Sequence, residues 1–199
     1  MSLKTPGKLA LALILGLGLA GCIDARVDVA LTGPDTARAS MVQDMGADFY
    51  AMVKMSAENG EASGESFCAE GELTENADGS ATCTLVEEGP FAQLAATQGE
   101  DALRFEPAGA GLVRVSLPTA EMKAELGAGD DMDEQTRQMV EAFFAGHSVI
   151  VRFSGAEVVD TNMNLADDRR SAETEIAFLD LINGTANLPD EIYAVVRAP

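Results

Sequence analysis

The stretch His147-Ser148-Val149-Ile150-Val151-Arg152-Phe153-Ser154-Gly155-Ala156-Glu157-Val158-Val159 sets the expectation for the whole chain. Val149, Val151 and Phe153 recur at every second position, the period of a strand with one buried face. Ser154-Gly155 reads as a strand end and bend, with Gly155 supplying backbone freedom. A further strand follows over Glu157 to Asp160. Working outward, Ala172 to Phe178 and Ile192 to Arg197 read as the closing strands, and Asp24 to Leu31 alternates in the same way through Val27, Val29 and Leu31. Gly33-Pro34-Asp35 is a turn leading to a second strand over Ala37 to Val42. Ala102 to Glu106 and Leu112 to Leu117 flank a glycine-rich turn and read as a hairpin.

Helical periods interrupt these strands. Ala47 to Ala57 places Phe49, Met52, Val53 and Ser56 at helical spacing. Pro90 opens a short helix with Phe91, Leu94 and Ala95 on one side. Thr119 to Leu126 and Asp133 to Ala145 also read as helices, the second with Met139, Val140, Phe143 and Phe144 on its apolar face. No regular βαβ rhythm appears. The expected class is α+β: a largely antiparallel sheet with several flanking helices, in one compact domain.

That domain follows a leader. Lys4 and Lys8 precede an apolar run from Leu9 to Leu19, and Leu19-Ala20-Gly21-Cys22 closes it with small residues before a cysteine. The run is shorter than the roughly 20 residues of a comfortable membrane span, and Gly16, Gly18 and Gly21 weaken it as a helix. It reads as a signal peptide resembling that of a bacterial lipoprotein. On this reading residues 1–21 are cleaved, Cys22 is lipidated, and residues 22–199 form the mature envelope domain. An uncleaved signal anchor, or an ordinary secretory signal with Cys22 present by chance, is the alternative. Ile23, rather than an aspartate, follows the cysteine, which favours the outer over the inner membrane in a host with two.

Removing residues 1–21 takes Lys4 and Lys8 and no acidic residue, leaving 11 of 13 basic side chains against 33 acidic ones, a formal charge of −22. Such a surface repels nucleic acid and anionic headgroups and attracts basic partners. The chain has no Trp, which argues against a stacking-based site for sugars or bases.

Two cysteines remain in the mature chain, Cys68 and Cys83. Export places them where disulfides persist. The intervening segment reads as a hairpin turning on Asp78-Gly79, with the cysteines on facing strands and within bonding distance. A metal pair lacks further ligands, and a redox pair lacks Cys-x-x-Cys spacing.

Chemistry-bearing constellations are sparse. His147 is the only histidine and opens an apolar strand, where a structural hydrogen bond is the simpler role. There is no Gly-x-Ser-x-Gly, Walker loop or His-Glu-x-x-His, so a hydrolase has no nucleophile-and-base pair and no catalytic residue is named. Asp160, Asn162 and Asn164 place oxygens at alternate positions, as calcium loops do. Leu165 stands where such a loop turns on glycine and Ser171 where it carries glutamate, so the segment reads as a polar turn. No cofactor is expected.

The closing passage from His147 to Val159, followed by Asn162, a polar turn and the strand Ala172 to Phe178, resembles the corresponding phrase of LppM-type lipoprotein domains. Residue-level likeness is confined to the last third of the chain. Ser154 replaces the family's usual proline, the tryptophan often found in the following strand is missing near Ile176 and Phe178, and the sequence ends at Pro199 without the C-terminal membrane helix of many relatives. The resemblance implies an α/β envelope domain with a lipid-accommodating cavity and supplies no catalytic residue. The expected function is therefore a non-enzymatic, periplasm-facing lipoprotein binding a lipid or amphipathic ligand. The alternative is an acidic scaffold lipoprotein docking a basic envelope protein.

Overall fold

The computed structural model describes residues 23–58, 67–98, 102–120 and 133–199. Cys22 and the expected leader lie outside them, as does nearly all of the helix expected over Thr119 to Leu126.

The alternating stretches form two sheets. The larger contains β1 (Ile23–Leu31), β2 (Thr36–Met45), β3 (Glu72–Glu75), β4 (Ala81–Pro90), β7 (Ser148–Ser154), β9 (Asn164–Leu165) and β10 (Ser171–Ala177), in the order β3-β4-β2-β1-β7-β10-β9. The smaller contains β5 (Arg104–Gly109), β6 (Leu112–Pro118), β8 (Glu157–Thr161) and β11 (Glu191–Arg197), in the order β5-β6-β11-β8. Every pairing is antiparallel except β1 with β7, which run parallel with Val27 opposite Val151 and Val29 opposite Phe153.

Several flanking helices were expected, and the structure is more sheet-rich than that. Among the described residues there are two helices of more than two turns, α1 (Ala47–Glu58) and α2 (Glu134–Phe144), and the single-turn α3 (Phe178–Ile182). The helix expected after Pro90 is two 3-10 turns, Phe91–Gln93 and Ala95–Thr97, because Leu94 between them is extended and its side chain is buried in the core. The strand expected to reach Phe178 stops at Ala177, where the chain turns into α3 and buries Phe178 and Leu181.

The two sheets pack face to face. Val29 and Leu31 of β1, Val151 and Phe153 of β7, and Ala172 and Ile176 of β10 meet Val113 and Val115 of β6, Val158 of β8, and Ile192, Ala194 and Val196 of β11 in one continuous core. Phe153 is its largest fully buried side chain. The bend Ser154–Ala156 carries the chain from one sheet to the other. Gly155 is required there for closeness, not for the backbone freedom expected of it. A Cβ at that position would lie 2.5 Å from Val196 Cγ1 and 2.8 Å from the Arg197 carbonyl oxygen. Its φ is not among the positive values, whereas Gly79, in the β3–β4 turn, has φ +89°.

β2 and β4 overrun the smaller sheet. Their far ends, with Met45 opposite Ala81, are covered by α1 on the same sheet face. A second, smaller core forms there from Met45, Tyr50 and Ala81, with Phe49, Val53 and Phe67 packed around it.

Candidate functional site

One end of the larger sheet collects the features with functional meaning. Strand register defines it: Ile23 at the start of β1 pairs with Met45, and Met45 pairs with Ala81. β7 begins and β10 ends there too, since Ser148 pairs with Ala177. Gly46 alone separates β2 from α1. Cys22 is the residue immediately before β1 in the sequence.

Over this end α1 turns Tyr50 inward and leaves Met52 and Met55 55% and 63% exposed. Met52 falls at helical spacing with Phe49, Val53 and Ser56 in the sequence; of the helix it is Tyr50 that is buried, its ring edge-on to Phe67 while its hydroxyl reaches the polar rim. The Tyr50 hydroxyl donates to Glu75 Oε1 at 2.7 Å, and Lys54 Nζ donates to the same oxygen at 2.8 Å. Donation from Lys54 and then from Tyr50 holds the Glu75 carboxyl below its ordinary pKa. The hydrogen bond to Glu75 pushes the Tyr50 hydroxyl up. An open groove of about 360 Å³ lies between α1 and the β3–β4 turn, lined by Tyr50, Ala51, Lys54, Glu75 and Asn76.

A disulfide joins Cys68 and Cys83, with Cα atoms 5.4 Å apart. The placement differs from the expected facing strands. Leu73 is the strand partner of Cys83, and Cys68 comes from the loop before β3. The bond thus pins the approach to the hairpin, with Phe67 beside it in the small core. Gly71 lets the loop pass: a Cβ there would lie within 3 Å of both sulfurs and of the Thr84 carbonyl oxygen.

His147 Nδ1 lies 3.2 Å from Asp24 Oδ2, and the other Asp24 oxygen accepts from the Ser148 N–H at 3.0 Å. This contact ties β1 to β7 at the same end, a structural use of the histidine.

Asp160, Asn162 and Asn164 lie where β8 leads into β9. Asn162 donates through Nδ2 to the Glu191 carbonyl oxygen and accepts from the Tyr193 N–H through Oδ1, both at 2.8 Å. Asp160 accepts from the Tyr193 hydroxyl at 3.1 Å. Asn162 thus spends both ends of its amide on the β11 backbone, and Asn164 is exposed on β9. Among the described residues no group of three or more His, Cys, Asp or Glu side chains is placed to hold a metal ion.

The outer face of the smaller sheet carries a network that sequence reading missed. Arg114 makes a two-pronged contact with Glu191 at 3.1 and 2.9 Å, and its guanidinium lies 4.1 Å from the Tyr193 ring centre. Arg114 holds the Glu191 carboxyl low, and Glu191 raises the guanidinium in return. Donation to Asp160 raises the Tyr193 hydroxyl. Outward alternation on β6 and β11 was the available signal, but pairing these side chains needs the register that sets Tyr193 opposite Ser116.

At the opposite end of the molecule, Phe91 and Phe105 stack at 4.2 Å beside Leu103 in an open notch of about 380 Å³.

No family model and no curated protein matches this chain. A solved structure similar to it is the NMR structure of the folded domain of LppM from Mycobacterium tuberculosis. The two share 12% identity with a TM-score of 0.47, over 92% of this chain and 94% of that one. No residue role is transferred from it. Among the described residues, no helix is long and apolar enough to cross a membrane.

Proposed function

We propose that this chain is a non-enzymatic, lipid-anchored envelope protein whose sandwich works as a surface-binding module, docking a basic envelope partner. One observation carries the choice of surface over interior. The space between the sheets is occupied by side chains from both, with Phe153, Val158, Ile192, Ala194 and Val196 fully buried. A ligand the size of a lipid would have to displace that core. The polar contacts, by contrast, lie outside it and the charge is strongly negative. Export rests on the leader and on Cys22 in its lipoprotein-like context, and the disulfide suits an oxidising compartment. A periplasm-facing position, on the outer rather than the inner membrane, belongs to the same proposal.

Binding of an amphipathic ligand is the second reading. The Phe91–Phe105 notch favours it, as a recess open to solvent that sets a stacked aromatic pair and Leu103 beside the polar Thr97 and Gln98.

Crosslinking in cells at two salt concentrations separates them. A salt-sensitive protein partner is expected, because exposed charges are screened beyond about 10 Å at 0.1 M salt. Lipid co-purifying with the gently extracted protein, and lost in Phe105→Ala, would instead select the second reading. Intact mass of the mature N-terminus tests the anchor in both.

A further inference from the structure

The exposed face of α1 is a second membrane contact, and we infer that it lies on the bilayer surface beside the Cys22 anchor. This rests on the lipoprotein reading proposed above. Asp48, Ala51, Met52 and Met55 fall at i, i+3, i+4 and i+7, one stripe of the helix, and all are exposed. The opposite stripe is spent on the small core and Glu75. The stripe therefore has no partner within the described residues.

Position supplies the occupant. β1 starts at Ile23, so no described linker holds the body away from Cys22. Ile23 pairs with Met45, a step of about 5 Å between antiparallel strands, and α1 begins two residues later. A 12-residue helix is about 18 Å long, so the whole stripe lies within a few nanometres of the acylated sulfur. The anchor supplies the encounter, and even a small apolar contact then forms at high effective concentration.

The chemistry suits a disordered apolar boundary. Methionine is flexible and polarisable, and accommodates surfaces without a fixed shape. Asp48 stands at the anchor-proximal start of the stripe, at headgroup level, where it favours zwitterionic over anionic lipid. The overall charge makes the same selection.

The chain has no Trp, so Met55→Trp and, independently, Met52→Trp each create a single reporter. Val86→Trp is the reference: Val86 is exposed, on the opposite face of the larger sheet and five positions further along β4 from the Met45–Ala81 end. Full-length acylated protein is reconstituted into phosphatidylcholine vesicles with brominated acyl chains. Apolar faces of interfacial helices sit about 5–10 Å into the headgroup boundary, so reporters at 52 and 55 are expected to quench several-fold more than the reporter at 86. Equal, weak quenching at all three sites, with intact mass showing acylated Cys22, overturns the contact and leaves the anchor standing. A bare N-terminal cysteine or a retained leader removes the anchor, and this inference with it. A blue-shifted reporter at 55 without any lipid places a second protein copy on the stripe and also overturns it.

Discussion

Breaking the Cys68–Cys83 bond tests how the two cores are related. The bond closes a loop with a sequence separation of 15, for which chain entropy gives a stabilisation of about 3 kcal/mol. If the chain unfolded in one step, the double substitution Cys68→Ser with Cys83→Ser would lower Tm by roughly 6–12 °C, at ~2–4 °C per kcal/mol for this size. The structure directs the loss elsewhere. The bond lies wholly within the segment running from the loop before β3 into β4, and its neighbours Phe67, Tyr50, Met45 and Ala81 form a cluster separate from the one centred on Phe153. Opening of that cluster need not disturb the sandwich. Amides of β3 are therefore expected to exchange up to roughly 150-fold faster, which is 3 kcal/mol converted at about 1.36 per decade. Amides of β7 and β11 are expected to hold their rates. Hydrogen exchange read by mass spectrometry on the wild type and the double variant gives the comparison. Equal acceleration in β7 and β11 would refute the separation of the cores, and no acceleration in β3 would refute the loop argument itself.

Gly155→Ala pushes a methyl group against the Arg197 backbone and Val196, and overpacking of this kind costs about 1–3 kcal/mol, measurable by urea unfolding. Asn162→Ala removes two bonds to the β11 backbone and is expected to cost about 1–3 kcal/mol. Millimolar calcium is expected to leave the wild-type Tm unchanged, and a rise would assign Asp160, Asn162 and Asn164 to a cation after all. Arg114 holds the Glu191 carboxyl below its ordinary value, so their stabilisation is present above the unfolded carboxylate range and is lost as pH falls through the depressed folded value. Wild type and Glu191→Gln should then differ in stability at neutral pH and converge well below about pH 4; a constant gap in denaturation midpoints across that window would refute the pairing.

Alternation made most strands legible. Val27, Val29 and Leu31 on β1, Val149, Val151 and Phe153 on β7, and the last strand's Ile192, Ala194 and Val196 carry a period that only a half-buried strand explains. The period says nothing about which strands meet. The parallel pairing of β1 with β7 joins residues more than 120 positions apart, and the division into two sheets follows from the bend at Gly155 that alternation alone does not show. The same gap hid the Arg114–Glu191 contact, which depends on the β6–β11 register. On α1 the pattern was legible and the direction was not. The spacing in the sequence runs through Phe49, Met52, Val53 and Ser56, whereas Tyr50, two residues from Met52 and so on a different face, is the one buried, its hydroxyl keeping a partner in Glu75. Cys68 and Cys83, the two cysteines left after Cys22, are joined as expected, but not across facing strands, because a loop brings a cysteine to a strand as readily as a facing strand does.

The anchor end is held together in an order that matters. Among the described residues α1 rests on a small core of Met45, Tyr50 and Ala81, with Phe49, Val53 and Phe67 packed around it. The disulfide restrains the loop that supplies Phe67 to that core, and Lys54 and Tyr50 converge on Glu75 from the helix side. Each restraint acts on the same helix, and the orientation they enforce leaves Met52 and Met55 outward. If the chain is exported as proposed, an oxidising compartment would keep the bond closed and with it the restraint on this end of the fold. Reduction should loosen the α1 end before it loosens the sandwich, and membrane contact through the stripe should weaken with it.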